Sequence, residues 1–559
     1  MHCDRVVNGR NVQKQNVYQS FTHDIKCRGT ISGPGLLPQW VQGPSSTFIT
    51  AMVDRPAFLS SLEFLCTRMS SGSIQKVGLH RRRFSLSCDT SPYEPSFSLL
   101  GLHSNQRNRQ PTMANSPRYE SDKVDASPLG KPLHFEFANR DAPNRFIKGA
   151  MTERISSWDP QNLEARGIPS KNLRNVYRRW GEGAIGNILT GNIMIEYDHL
   201  EAAGNPIIPR GAPYEGERFD AFKEMAELGK KQGCLMVGQV SHPGRQVEQR
   251  IQKNPISASD VQLEGEVMGM RFAKPRAATD EDIKNVKEGF AHAAEYLEKA
   301  GYDGIELHGA HGYLLAQFLS PTTNRRTDKY GGSLENRARL ILEIAQEIRS
   351  RTKPNFVLGI KLNSVEFQDK GFQPEEAKQL CAMLEANKFD FVELSGGTYE
   401  KLAFGHQRES TKNREAFFLE FADLIAPVLK KTKVYVTGGF KTAGAMVKAL
   451  DSVDGVGLAR PLCQEPRLCK DILDGKVQGA IKMQFDDNNF GITNVAAGTQ
   501  IRQIGKDQEP MNLSKDENVQ AFMKDMGEWA EAMSKDSEML KFGYIDINSA
   551  TPIPYGAAI

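Results

Sequence analysis

The chain has 559 residues, of which 25% are charged and 39% hydrophobic, and its formal net charge is +3; these values are ordinary for a globular protein that works in water. The near-neutral balance gives no support for nucleic acid as the main partner, and no run of about 18 apolar residues predicts a membrane span. Eight cysteines (Cys3, Cys27, Cys66, Cys88, Cys234, Cys381, Cys463, Cys469) are scattered rather than set at the dense spacing of a disulfide scaffold. A reducing compartment, the cytoplasm first of all, is the simpler reading.

Residues 1–112 read as a low-order extension: Ser, Arg, Gly and Pro are frequent and no period of 2 or 3.6 persists. Arg81-Arg82-Arg83 and the basic balance suit an organelle-targeting segment, whereas Asp4 and the lack of an amphipathic pattern do not. The alternative is a native start at Met113, where a more orderly sequence opens.

From about residue 130, short β-branched runs alternate with helix-period segments. The runs are 145–151, 185–191, 235–240, 304–308, 356–362, 391–395, 434–437 and 453–458, with helices predicted at 280–300, 334–352, 374–387 and 418–430 and a closing barrel helix at 467–478. Most runs are apolar on both faces, as strands covered by helices must be. Eight strand–helix units predict an α/β fold, a (β/α)8 TIM barrel spanning 113–478. An open doubly wound sheet would want a Gly-rich phosphate turn after its first strand, and Asn144-Arg145-Phe146-Ile147-Lys148-Gly149-Ala150 is not one. An irregular insertion at 241–279 is expected to shape the mouth of the site.

The fourth run ends in His308-Gly309-Ala310-His311-Gly312-Tyr313. Two imidazoles and a phenol at the carboxyl end of a buried strand lie where barrel enzymes keep their chemistry. A His-x-x-His pair with no third ligand nearby is weak grounds for zinc, and no metal is expected. The last two strands end in Gly438-Gly439 and in Gly457-Leu458-Ala459-Arg460, turns that either are merely tight or present backbone N–H groups to a phosphate; their occurrence together favours phosphate. The remainder, 479–559, includes a helical stripe of Val519, Phe522, Met523, Met526 and Trp529, which predicts packing on the barrel exterior or against a second subunit of a homo-oligomer.

The motif from His308 to Pro321, followed by Asn324-Arg325-Arg326-Thr327-Asp328-Lys329-Tyr330-Gly331-Gly332-Ser333, resembles the old yellow enzyme family, the NADH:flavin oxidoreductases, and supporting matches run from Ala142 to about Pro466. The resemblance implies FMN in the barrel and NADH or NADPH as reductant. It further implies a ping-pong hydride transfer by way of flavin N5 to a small electrophile such as an activated alkene. By the same resemblance, His308 and His311 would hold the substrate oxygen and Tyr313 would supply the proton. Met151, Thr152, Asn192 and Gln239 would meet the flavin, Lys361 its N1–O2 edge, and Gly438, Gly439, Ala459 and Arg460 its phosphate. Lys361 stands where many relatives have arginine, which keeps the charge and loses the planar fork. Ala459-Arg460 replaces the more usual Gly-Arg. Cys463 and Cys469 lack the companions of a 4Fe–4S cluster. Two rival readings remain from sequence: a phosphate-binding aldolase or isomerase without flavin, with Lys361 as Schiff-base lysine, and a flavin-binding protein without turnover.

Overall fold

The computed structural model describes residues 116–267, 269–363, 374–395 and 421–557, so the expectations for 1–112 lie outside the described residues. Eight parallel strands form the centre: β1 (Phe146–Lys148), β2 (Asn187–Leu189), β3 (Leu235–Ser241), β4 (Gly304–Gly309), β5 (Val357–Asn363), β6 (Phe391–Ser395), β7 (Lys433–Thr437) and β8 (Gly455–Leu458). Each matches one of the runs read from the sequence, within three residues at its ends. β8 pairs with β1, and β3 pairs with β4, so the sheet shuts on itself and the open doubly wound alternative is excluded. Closure leaves the eight-stranded ring itself without a free edge. The lower interior is apolar, filled by Ile147, Leu189, Leu235, Val237, Val357, Phe391 and Tyr435. The hairpin of Leu133–Phe135 with Arg140–Ala142 packs into the same cluster and plugs that end.

The covering helices are α1 (Lys171–Gly181), α2 (Glu217–Gly229), α3 (Asp280–Lys299), α4 (Leu314–Leu319), α5 (Leu334–Arg351), α6 (Pro374–Ala386), α7 (Ala443–Ala449), α8 (Arg460–Gln464) and α9 (Leu468–Leu473). Their starts are written locally: Thr279 and Asp282 form a capping box on α3, and the Ser333 hydroxyl accepts the Asn336 N–H on α5. Two expected helices stop early. Of the one read at 418–430, residues 421–425 are helical and Ala426–Val428 tightens to a 3₁₀ turn, because Pro427 has no N–H to continue the ladder. The closing helix read at 467–478 ends at Leu473, before Gly475 in a left-handed conformation (φ 69°).

Beyond the barrel, α10 (Phe490–Gly505) and α11 (Asp516–Ser534) follow. Phe522 of the predicted stripe is buried, and Val519, Met526 and Trp529 pack partly against it. Met523, read as part of that stripe, is instead 40% exposed. No helix among the described residues is long and apolar enough to cross a membrane.

Candidate active site

Side chains alternate across a strand, so Glu306 and His308 share the inward face of β4. Register then sets their neighbours: Glu306 lies opposite Gln239 of β3, His308 opposite Lys361 of β5, and Lys361 opposite Glu393 of β6. Two polar layers therefore sit on the apolar floor.

After β4 the chain turns sharply, with His311 at φ 58° and Gly312 at φ 76°. A left-handed histidine is uncommon, and its surroundings hold it. Its backbone N–H donates to Asn363 Oδ1 at 3.1 Å, and its ring Nε2 is 3.0 Å from Ser395 Oγ. The ring of Tyr313 stands edge-on to His308 at 4.6 Å between centroids, and His308 meets His311 at 5.1 Å. Tyr313 also packs on Leu263, Val267 and Phe272, so the 241–279 insertion builds a wall of the site as its irregularity suggested.

Buried Gln317 of α4 ties these parts together. Its Nε2 donates to Pro243 O and Gly312 O at 3.0 and 2.8 Å, while its Oε1 accepts from the Ser257 hydroxyl at 2.8 Å. The second half of the motif does similar work. Asn324 donates to Phe318 O and Tyr330 O, and Arg326 donates to Ala258 O and Ala278 O.

Both histidines are held neutral. Burial, then His311 and Lys361, pushes His308 well below the usual imidazole range; burial and Lys361 bring His311 down to about 3. His308 Nδ1 accepts from the Ala310 N–H at 3.4 Å, which leaves the proton of the neutral ring on Nε2, a donor.

One cavity at the carboxyl ends of the strands is lined by every residue expected there: His308, His311, Tyr313, Met151, Thr152, Asn192, Gln239, Lys361, Gly438, Gly439, Ala459 and Arg460. Thr152 donates to Asn192 Oδ1 at 3.4 Å, joining the turns after β1 and β2. Arg460 donates to Thr493 of α10. Lys441, which follows the Gly438-Gly439 turn, lies 3.5 Å from Asp487. Lys361 Nζ sits 2.6 Å from Glu393 Oε1, with both side chains buried.

Other lining residues carried no signal in sequence. Arg154 (φ 57°) pairs with Glu201 at 2.8 Å and lies over the Tyr544 ring at 5.0 Å. Asn494 donates to the Tyr544 hydroxyl at 3.4 Å, and Phe490 also faces the cavity. The segment read as lying outside the barrel thus contributes part of the site wall. Nothing local in Phe490, Asn494 or Tyr544 marks them, since the path of α10 brings the first two there and the segment after α11 brings Tyr544.

Among the described residues, no third potential metal ligand groups with His308 and His311, and a three-residue grouping occurs instead at Glu196, His199 and His242. There, His199 Nδ1 lies 2.7 Å from Glu196 and 3.0 Å from Asp198. Burial opposes its charge, but the two carboxylates outweigh burial and raise it to about 9, so at neutral pH the cluster is ion-paired. Cys463 and Cys469 are buried free thiols, and burial pushes Cys463 up to about 12, which suits packing rather than cluster ligation.

Comparison with known proteins agrees with this architecture. Residues 129–478 match the model of the NADH:flavin oxidoreductase / NADH oxidase family. An NADH-dependent flavin oxidoreductase of Aspergillus parasiticus is 53% identical over 422 residues, covering 75% of this chain and 95% of that protein. An NADH oxidase of Thermoanaerobacter brockii is 32% identical over 46% of this chain and 38% of its own length. Among solved structures, the old yellow enzyme homologue from Zymomonas mobilis superposes with a TM-score of 0.51 at 21% identity, covering 65% of this chain and 98% of that one. A closed eight-stranded barrel whose His-Gly-Ala-His-Gly-Tyr turn faces glycine turns on β7 and β8, matched from residue 129 to residue 478, places this chain in the NADH:flavin oxidoreductase / NADH oxidase family of FMN-dependent oxidoreductases.

Proposed function

We propose that the protein takes reducing equivalents from NADH or NADPH and delivers hydride to an activated alkene or a similar small electrophile. His308 and His311 anchor the substrate's carbonyl or nitro oxygen, and Tyr313 is the proton donor. The observation that carries this reading is the grouping of two neutral imidazoles and a phenol, with ring centroids 4.6 and 5.1 Å apart, in one cavity.

The residues present fit FMN. Gln239 Oε1 is buried with no hydrogen-bond partner among the described residues, an acceptor suited to an imide N–H. Thr152, Asn192 and Lys361 add polar groups around the same cavity, with Met151 beside them. Gly439, at φ 83°, adopts a conformation that lets backbone approach an anion, and Gly438, Ala459 and Arg460 complete the phosphate end. When bound, FMN supplies the hydride relay between nicotinamide and substrate.

The protein's own part is electrostatic and positional. Neutral histidines donate N–H bonds to an oxygen that gains negative charge as hydride arrives at the β-carbon, so the interaction strengthens toward the transition state. Tyr313, buried against the insertion, is held beside His308 and protonates the α-carbon; a phenol of pKa about 10 is a competent acid toward a carbanion. The insertion and the wall of Tyr544 and Phe490 limit what electrophile enters.

The aldolase reading is weakened by the 2.6 Å ion pair of Lys361 with Glu393, which occupies the amine. The test is purification without added cofactor, a flavin spectrum, and anaerobic mixing with NADH and with NADPH, followed by cyclic enones and nitroalkenes. Colourless protein rejects the proposal; bound flavin that never bleaches leaves the non-catalytic binder. The buried free thiols of Cys234, Cys381, Cys463 and Cys469 support a reducing compartment such as the cytoplasm.

A further inference from the structure

We propose that Glu306 and Glu393 form a one-proton carboxyl pair beneath the cofactor site, with Glu306 holding the proton and Glu393 the charge that answers Lys361. The pair positions both Gln239 and Lys361. What it does for the cofactor rests on the flavin reading above; its existence does not.

The geometry runs as one directional chain across four strands. Gln239 Nε2 donates to Glu306 Oε1 at 2.6 Å. Lys361 Nζ donates to Glu393 Oε1, also at 2.6 Å. Glu306 and Glu393 are fully buried, and the second oxygen of each finds no donor among the described residues. Yet the two carboxyl groups face each other at hydrogen-bonding range. Two ionised carboxylates there would leave both oxygens orphaned and place two negative charges against one lysine in a dry interior. One proton, bonded to Glu306 Oε2 and directed at Glu393 Oε2, satisfies both and leaves the group electrically neutral.

The protonation states follow the same division. Burial and the charge of Glu393 drive Glu306 well above the ordinary carboxyl range. At Glu393, burial is outweighed by Lys361, so it stays ionised. The other groups facing the pair do not upset this balance. Thr437 helps to hold Glu393 ionised, His308 and His311 are neutral, and burial lifts the Tyr435 phenol above its usual range. Lys148 is spent on the Leu189 carbonyl at 2.9 Å and on the Trp180 ring.

Two consequences reach the site. Because the Gln239 amide N–H is committed to Glu306, its Oε1 is left as the free acceptor, which sets the direction of its bond to a cofactor edge. Lys361 meets that edge as half of a neutral pair rather than as an isolated cation. This moderates how strongly it favours an anionic reduced ring.

Infrared spectra of the protein as purified, near pH 7, test the pair directly: a protonated-carboxyl C=O band is expected and is lost in Glu306→Gln. The flavin reduction equilibrium, measured against reference dyes, tests its effect. Glu306→Gln exchanges one neutral group for another and is expected to shift that equilibrium less than about twofold, whereas Glu393→Gln unmasks Lys361 and shifts it at least about tenfold toward reduced flavin. No lost band, or a Glu306→Gln shift matching that of Glu393→Gln, overturns the proposal. If Glu393→Gln does not fold, the Glu306→Gln spectrum decides alone. Colourless protein that keeps the band would sink the flavin reading and leave the pair standing.

Discussion

Replacing Lys361 by methionine removes a charge while nearly preserving side-chain length, and the structure sets the size of the effect. Nζ lies 2.6 Å from Glu393 Oε1, with side-chain exposures of 4% and 0%. At that separation the gross attraction is about 6 kcal/mol for an effective dielectric of 20, largely offset by the cost of burying both charges. An intact buried pair is therefore of small net value, but removing one partner leaves the other unpaired, at a cost of about 3–5 kcal/mol. Lys361→Met and Glu393→Gln should each lose about that much in urea unfolding, and the double variant should recover at least about 2 kcal/mol of the sum. The pH dependence has a definite sign. Glu393 is held down by Lys361; without it, burial raises the folded-state pKa above the unfolded value of about 4.3. The deficit of Lys361→Met is then full above the raised pKa and shrinks as pH falls toward the unfolded one. Additivity of the two single changes within about 0.5 kcal/mol, or a deficit that grows on acidification, would refute the reasoning.

Three further outcomes are expected. Tyr313→Phe should leave flavin reduction by nicotinamide intact and slow alkene reduction by about 10²–10⁴-fold in stopped-flow half-reactions; equal slowing of both removes Tyr313 as proton donor. His199 is raised from 6.5 to about 9, so its stabilisation is full below about pH 6.5 and is lost as pH climbs through 9; the loss is roughly 3 kcal/mol. Urea titrations across that window should flatten in His199→Gln, and an unchanged slope contradicts the ion-paired cluster. Gln317→Leu removes the donors to Pro243 O and Gly312 O and should cost about 2–4 kcal/mol while increasing hydrogen exchange at Gly312 and Tyr313; unchanged protection there would show that the turn does not depend on Gln317.

Much of the barrel was legible in sequence because its strands are short, apolar on both faces and regularly interrupted by helices, a pattern set by local periodicity alone. The residues of the His308–Tyr313 turn were also legible, since they sit together at a strand end and carry unusual chemistry. Helix ends were less so: Pro427 and Gly475 stop two helices that periodicity alone would extend.

What sequence by itself determined was the number of strand–helix units, their order, and the strand ends at which the polar residues stand. Tertiary structure decided that the sheet closes, that α10 and Tyr544 wall the cavity, and that Gln239, Glu306, Glu393 and Lys361 join into one chain. Glu306 and Glu393 each appear in sequence as a lone charge inside an apolar strand, a sign that a partner must exist but not which one. Their partners come from strands far away along the chain, and the inter-strand register that aligns them is set by packing of the whole ring rather than by neighbouring residues.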